Sequence, residues 1–476
     1  MTMHTTLGRR ARSVPTDTAP AHLAQAVEPP PTRLAMIGLV GWIALCALAA
    51  SRHAMLSWHY FATAGQTLLT PPGGLHVYGE HPELQFGPLT MAVCALLGLA
   101  PSTAAAVIAC VMMLVLGLAA IAILGRLSAG HHGGRVSTRT AMLYVALLAP
   151  LWLVLAVHYG HLDDALALFF MAAAVAQGKR DRWLTAALLL AAASGAKPWV
   201  VPMAMILLAA PRPARLKAFT IFVVGTALPW IPFVLADSRT MQLSRFVIDV
   251  ADDSVLRQIG SLSVATPTWV RPTQFLIGAA LAIWLARRGR WVCVPFAVLS
   301  VRLLTDPQTY LYYSTGLAVA AAIADLTRND RRPILTGLVV GWSAVTMLLA
   351  TPGQLTGAGT VRLVGLLAGI VVVIVDDGWS PAAARRNITR DDARTTVTVQ
   401  RHTQHVVPAR PAVTATAPDL VAPTTPSVGN APRVDEHPTV TTFTMEKLPD
   451  PPKLGELWTR TRRPLRPSAS SRLIRR

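Results

Sequence analysis

Charged side chains are scarce in this sequence, and acidic ones are the scarcer kind. Only 14% of the 476 residues are charged, with 24 acidic residues against 43 basic ones. A soluble domain usually has about a quarter of its residues charged. Hydrophobic residues make up 53% of the chain, and its mean hydropathy is +0.45. This composition argues strongly against a soluble globular protein.

Cysteine is also rare. The four cysteines all lie in apolar segments, without the CxxC spacing of a zinc site or the loop positions of a disulfide framework: Cys46, Cys94, Cys110 and Cys293. We interpret them as small hydrophobic residues. A disulfide-stapled scaffold and a structural zinc protein are therefore not expected.

The hydrophobic residues are concentrated between Leu34 and Val375. Judged against the roughly 20 residues that cross a bilayer, about twelve apolar runs are candidate helices. They begin near Leu34, Thr103, Thr140, Asp163, Trp183, Pro198, Lys217, Pro272, Trp291, Tyr310, Pro333 and Val361. We predict an all-α, polytopic transmembrane bundle over residues 34–377, with a polar segment at 1–33. Because many runs follow it, the first is interpreted as a signal anchor rather than a cleaved signal peptide.

Basic clusters recur along the chain, separated by two apolar runs each time. Lys and Arg accumulate in cytoplasmic loops, so the clusters predict a multi-pass plasma-membrane protein with both termini in the cytoplasm. The clusters are Arg126/Arg135/Arg139, Lys179/Arg180/Arg182, Arg212/Arg215/Lys217, Arg287/Arg288/Arg290 and Arg328/Arg331/Arg332. The external face then receives a long first loop at 51–100, the segments 158–164, 237–271 and 305–313, and the turn at Lys197. This order requires Gly87 to Ala100 to form a re-entrant or surface helix.

The first external loop is rich in aromatic residues, histidines and amides, and it contains two glutamates. A connector of this length with structure of its own is more often functional than incidental. Its candidate site residues are His59, Glu80, His81, Glu83 and Gln85. The alternative is an aromatic belt at the membrane interface, which explains the aromatic residues but not the glutamates.

The second external segment, HYGHLDDALAL, places two histidines and two aspartates at the start of a helix: His158, His161, Asp163 and Asp164. Aspartates there also cap a helix and complement its dipole. Two adjacent carboxylates exceed what capping requires, so both are candidate functional residues. The spacing is loose for metal ligands, and we expect no metal.

Two further external elements carry polar residues. Lys197 stands alone between apolar runs, where a functional lysine with an anionic partner is expected; the alternative is a lysine that extends to the headgroups. The segment TDPQTYLYY supplies Asp306, Gln308, Tyr310 and Tyr312, unless it is only a turn with interfacial tyrosines. In the segment between them, Leu243, Phe246, Val247 and Val250 have helical spacing, which predicts a helix on the membrane interface or on the protein surface.

The polar residues thus collect at helix ends on one face, which favours an enzyme over a carrier with sites near the midplane. The strings YGEHPELQFGPL, GHLDDALAL, GAKPW and DPQTYLYY together resemble the GT-C superfamily of membrane glycosyltransferases, in particular the bacterial enzymes that use polyprenol-phosphate-mannose. The resemblance covers about residues 34–375. It implies a GT-C-like bundle that transfers a sugar, with mannose the first candidate, from a polyprenyl-phosphate donor to a glycolipid or polysaccharide acceptor outside the cytoplasm.

The resemblance also implies roles for the candidate residues. An inverting transfer needs a carboxylate base, and the candidates are Glu80, Glu83, Asp163 and Asp164, because the acid usual shortly after the first helix is missing here. Lys197, with Arg257 or Arg271, would stabilise the leaving phosphate. The remaining polar candidates would bind substrate: His59, His81, Gln85, His158, His161, Asp306, Gln308, Tyr310 and Tyr312. We expect no cofactor.

The C-terminal region 378–476 lacks any helix-length apolar run and is predicted to be a disordered, basic cytoplasmic tail. Its basic end suits the anionic inner leaflet, or is an ordinary solvated tail. It lacks the aromatic residues or fold of a nucleic-acid-binding segment, so membrane lipids and the two substrates are the expected partners. The alternatives to an enzyme are a multi-pass transporter or flippase, and a non-catalytic scaffold that recruits partners through this tail.

Overall fold

The computed structural model describes residues 32–71, 73–129, 137–261, 263–328, 331–349 and 355–379. The predictions for the N-terminal segment and for the tail beyond Trp379 lie outside these residues. Within them the chain is helical, and the only strand-like pairing is an isolated antiparallel bridge between Asp249 and Ala265. The predicted all-α class is therefore confirmed for the described part of the chain.

The α-helices number sixteen in the described residues. The first half of the chain forms α1 Arg33–Ser51, α2 Trp58–Leu69, α3 Val77–Glu80, α4 Pro88–Leu97, α5 Ser102–Ala129, α6 Thr138–Leu153, α7 Leu162–Gly178 and α8 Trp183–Ala196. The second half forms α9 Arg212–Ala227, α10 Ile231–Ala236, α11 Val255–Gln258, α12 Val270–Arg287, α13 Val294–Thr305, α14 Tyr313–Thr327, α15 Ile334–Leu349 and α16 Leu355–Val375. A π-helical turn, Val154–Tyr159, extends α6, and a 3-10 helix, Pro198–Ala209, follows α8.

Five helical segments are long and apolar enough to cross a bilayer: Arg33–Ser51, Ser102–Leu127, Thr138–Tyr159, Arg212–Ala236 and Gly357–Val375. They indicate a multi-pass membrane protein. Several other apolar helices are shorter, so a total of twelve spans stays a prediction. The centre of the bundle is built from α7 and α14, whose residues are nearly all buried. Both are rich in alanine, which lets neighbouring helix backbones approach closely.

Gly87 to Ala100, which the predicted topology requires not to cross the membrane, forms only a short helix in the structure. α4 has 10 residues, a length of about 15 Å, or half of the hydrocarbon thickness. It begins directly after Gly87, with Pro88 at its first position, where the missing N–H of proline costs nothing. This geometry fits a re-entrant or surface helix.

The predicted interfacial helix at Leu243 to Val250 is wrong. The structure has a 3-10 helix at Ser238–Arg245, and residues 246–250 are not helical. Instead, the Val250 N–H donates to the Val264 carbonyl, and the Thr266 N–H donates to the Ile248 carbonyl. Pairing with the returning chain replaces the helical hydrogen bonds that the apolar spacing alone suggested.

The segments assigned to one side of the membrane by charge also lie together. At one end of the bundle, Lys197 pairs with Asp163, and Arg271 donates to Gln85. At the other end, the rings of Trp183 and Trp291 are 5.4 Å apart. There Arg328 also pairs with Asp376 at 2.8 Å. Which end faces the cytoplasm stays a prediction from charge.

A buried charge cluster as the candidate functional site

A sharp change of direction brings the acidic pair into place. The π-helical turn ends at Gly160, whose φ of 69° is a left-handed conformation that glycine adopts without strain. His161 follows, and α7 begins with both aspartates in its first turn. Asp163 does act locally, because its Oδ1 accepts the Asp164 N–H at 2.7 Å. Helix capping therefore explains only Asp163 Oδ1, and it explains neither the second oxygen of Asp163 nor the Asp164 carboxylate.

Lys197 faces these aspartates from the junction between α8 and the 3-10 helix. Its Nζ donates to Asp163 Oδ2 and lies 3.4 Å from Asp164 Oδ2. The side chains are 13%, 2% and 6% exposed, in the order Lys197, Asp163, Asp164. The lysine is thus enclosed by protein, and the anionic partner expected for it is the aspartate pair.

Arg302, which the sequence analysis did not identify, adds a second cation. Its guanidinium lies over the rings of Trp199 and Tyr313, with its Cζ 5.0 and 4.8 Å from their centroids. Its Nε is 3.5 Å from Asp306 Oδ2. Trp199 joins the two halves of the cluster, because its Nε1 donates to Asp164 Oδ1 at 3.2 Å. A single arginine within the apolar stretch FAVLSVRLLT was the available signal.

Together these residues form what we call the charge cluster: His161, Asp163, Asp164, Lys197, Arg302 and Asp306. Three carboxylates face two permanent cations, so one positive charge is lacking unless His161 is protonated. His161 Nδ1 lies 3.4 Å from Asp163 Oδ1 and 3.5 Å from Asp164 Oδ2. Burial alone lowers the pKa of His161, but its hydrogen bonds to the two aspartates outweigh burial and raise that pKa. At Asp306, burial raises the pKa of the carboxyl, although Arg302 opposes it.

A stack of three rings leads from the surface to the cluster. Tyr312 stacks on His161 with centroids 3.7 Å apart, and Tyr310 stacks on Tyr312 at 5.6 Å. Tyr310 is 45% exposed, whereas Tyr312 is 5% exposed. Tyr159 also packs on Tyr312, at 5.0 Å. An aromatic surface of this kind can receive the apolar face of a sugar ring.

The segment at 51–100, which contains Gln85 and Gly87, packs beside the cluster. The Gly87 N–H donates to the Ala196 carbonyl at 2.8 Å, directly before Lys197. Gln85 Oε1 accepts from Arg271 at 3.0 Å, while Gln85 Nε2 is buried with no hydrogen-bond acceptor among the described residues. That orphaned donor and the Arg271 guanidinium both suit a ligand rich in oxygen.

The other predicted residues lie apart from the aspartate pair. Glu80 is exposed, and Glu83 is paired with His81 at 3.1 Å. His59 is exposed and contacts the Leu56 carbonyl. The remaining three act within their own neighbourhoods: His158 packs on Tyr159, Gln308 donates to the Asp249 carbonyl, and Arg257 binds carbonyls of its own loop. Of the four carboxylate candidates, the structure places Asp163 and Asp164 in the charge cluster.

A metal ion could be held by three groups here, because His161 Nδ1 and one oxygen from each of Asp163 and Asp164 lie within 4.8 Å of one another. The donor set is chemically suitable for a divalent cation. However, the Lys197 ammonium already neutralises the same carboxylates and would repel a second cation beside it. The lysine therefore disfavours a metal at this position, and metal independence stays a prediction.

His161 makes the stability of the fold depend on pH. A raised pKa in the folded state gives stabilisation that is complete below the unfolded value of about 6.5 and is lost as pH rises through the folded pKa. The titratable groups facing the imidazole are Asp163, Asp164, Tyr159 and Tyr312. As pH rises from about 6.5 through the folded pKa of His161, we expect the midpoint temperature of thermal unfolding in detergent to fall. In the His161→Gln variant this decrease should be smaller. The matched control is His53→Gln, which changes an exposed histidine and should leave the decrease as it is in wild type. An equal dependence of the unfolding midpoint on pH in wild type and His161→Gln would contradict the stabilising role of His161.

Comparison with known proteins finds no relative: the chain matches no protein-family model, no curated protein and no solved structure.

Proposed function

We propose that this chain is a membrane glycosyltransferase of the GT-C type. It transfers a sugar, with mannose the first candidate, from a polyprenyl-phosphate donor to a glycolipid or polysaccharide acceptor on the extracytoplasmic face. The observation that supports this proposal is the charge cluster, in which two buried carboxylates lie beside two buried cations at the end of an aromatic stack. One site would then contain a carboxylate base, the cations that bind the phosphate and the aromatic rings that receive the sugar.

Asp164 is the preferred base. Asp163 is occupied by Lys197 and by the Asp164 N–H. Asp164 Oδ2 is held more loosely, because its neighbours Lys197 Nζ and His161 Nδ1 lie 3.4 and 3.5 Å away. In the transfer, the acceptor hydroxyl oxygen attacks the anomeric carbon and its proton passes to this carboxylate. The bond from the anomeric carbon to the phosphate oxygen breaks, and its electron pair leaves with the phosphate.

The cations would receive the charge that develops on that phosphate. Arg302 meets Asp306 through Nε at 3.5 Å, and its guanidinium lies over the Trp199 ring next to Asp164. Fixed cations in a site with little water stabilise a leaving anion strongly. The exposed Tyr310 ring, supported from behind by Tyr312, would receive the sugar, and the orphaned Gln85 amide would bind one of its hydroxyl oxygens.

The test is transfer of radiolabelled sugar from a polyprenyl-phosphate donor in membranes containing the full chain. We expect Asp164→Asn to reduce transfer by about 10²- to 10⁴-fold, which is the usual contribution of a general base. Asp252→Asn is the matched control, because Asp252 is 74% exposed on a predicted external segment. Wild-type transfer by Asp164→Asn would contradict the base assignment. Movement of the labelled lipid across the membrane without transfer would favour the transporter alternative.

A further inference from the structure

The segment that carries Tyr310 and Tyr312 is hydrogen-bonded to residues 249–251, which belong to another loop. Residues 306–312 lie between α13 and α14 and have no helical hydrogen-bond ladder of their own. Two contacts join them to residues 249–251: the Ala251 N–H donates to the Pro307 carbonyl at 2.8 Å, and Gln308 Nε2 donates to the Asp249 carbonyl at 2.7 Å. The position of the tyrosine segment therefore depends on that neighbour.

Asp253 is the centre of this attachment. Its Oδ1 accepts from Thr309 Oγ1 at 2.6 Å, next to Tyr310. From the other side, Arg362 Nη1 of α16 donates to the Asp253 carbonyl at 2.8 Å and lies 3.6 Å from Asp253 Oδ2. The Asp253 and Arg362 side chains are 18% and 12% exposed. One aspartate thus links α16 to the tyrosine segment.

Burial makes this link costly to break. Removing one partner of a largely buried ion pair leaves the other charge without compensation. Arg362 is the only charged residue of α16, so no neighbour on its own helix can replace Asp253. The sequence contains this signal, an arginine within an apolar helix, but gives no sign of which of several external acids it meets.

We propose that Asp253 and Arg362 form a clasp that positions residues 306–312, and with them the stack of Tyr310 and Tyr312 on His161. Asp253 is a positioning residue, because it acts through Thr309 and touches no member of the charge cluster. The clasp is independent of which reaction the cluster performs. If the proposed transfer is correct, breaking the clasp raises the KM for the sugar substrates more than it lowers kcat.

Hydrogen–deuterium exchange of the full chain in detergent tests the clasp without any activity. We expect Asp253→Asn and Arg362→Gln to speed exchange of the backbone N–H groups of Ala251 and Gln308 by roughly five- to tenfold, because local opening becomes easier. The matched control is Asp252→Asn, the same change one residue away at an exposed side chain. Exchange in Asp253→Asn equal to wild type, or equal acceleration in Asp252→Asn, would overturn the proposal.

A second variant keeps the test informative if the charge variants fail to fold. Thr309→Val removes only the 2.6 Å hydrogen bond to Asp253 and leaves the ion pair with Arg362 intact. It should accelerate the same two amides to a smaller extent. Unchanged exchange in this variant would show that Asp253 does not hold the tyrosine segment. The exchange measurement needs no sugar donor, so an absence of transfer in wild-type membranes would contradict the proposed function and leave the test of the clasp intact.

Discussion

Lys197→Met is expected to destabilise the fold by about 3–5 kcal/mol, because the substitution leaves two buried carboxylates without their nearest cation. Arg302 pairs with Asp306, so its charge, which also acts on Asp164, offsets only part of the loss. The loss would be measured as a lower midpoint of denaturant or thermal unfolding in detergent. Transfer activity should be lost as well, because the cation near the leaving phosphate is missing.

The matched control for this prediction is Lys217→Met, which removes an exposed lysine from α9 and should leave the unfolding midpoint nearly unchanged. A double variant separates charge from packing. Lys197→Met combined with Asp163→Asn removes both partners, and replacing a buried pair costs less than breaking it. We therefore expect the double variant to be more stable than Lys197→Met alone. A double variant that is less stable than either single variant would show that the two residues do not compensate each other.

Gly87→Ala is expected to cost about 1–3 kcal/mol or more, because a Cβ at this position would meet backbone rather than a flexible side chain. The added carbon would lie 2.1 Å from the Gly195 carbonyl oxygen and 2.6 Å from its carbon. Moving the first loop away would stretch the hydrogen bond from Gly87 to Ala196. The backbone angles of Gly87 suit any residue, so the effect is one of space alone.

Gly337→Ala provides the comparison, since nothing lies within 4 Å of the added carbon on α15. Alanine in a helix interior is favoured over glycine by roughly 0.5–1 kcal/mol, so this variant should be as stable as wild type or more so. Both variants would be compared with wild type by unfolding in detergent. The close approach of the first loop to α8 would be refuted by a Gly87→Ala protein that unfolds like Gly337→Ala.

Apolar runs predicted most of the helices, because a bilayer-spanning helix must be apolar over its whole length. The predicted starts at Trp183, Pro198 and Trp291 are confirmed, and those at Leu34, Thr103 and Asp163 are one residue late. The start at Tyr310 was early, because Tyr310 and Tyr312 belong to the segment that the clasp contacts and α14 begins at Tyr313. At Val250, the backbone is set by its hydrogen bond to the returning chain at Val264, so the helical spacing of apolar residues gave a wrong prediction.

The candidate site was predictable only in part. Asp163 and Lys197 stand out because ionisable residues are rare among apolar runs, and the structure joins them although they are 34 residues apart. Arg302 and Arg362 had the same signal in their own helices and were missed. Trp199 gave no such signal in the sequence, because its role depends on contacts with both Arg302 and Asp164. Pairings of this kind are set by helix packing, which one sequence does not reveal.

The layout of the charge cluster along the chain has a consequence for biosynthesis. A ribosome delivers Asp163 34 residues before Lys197, and Arg302 much later. At roughly 5–20 residues per second, the first turn of α7 waits for seconds with two carboxylates and without Lys197. We therefore expect these aspartates to stay near water until Lys197 follows, so that α7 reaches its final depth together with α8.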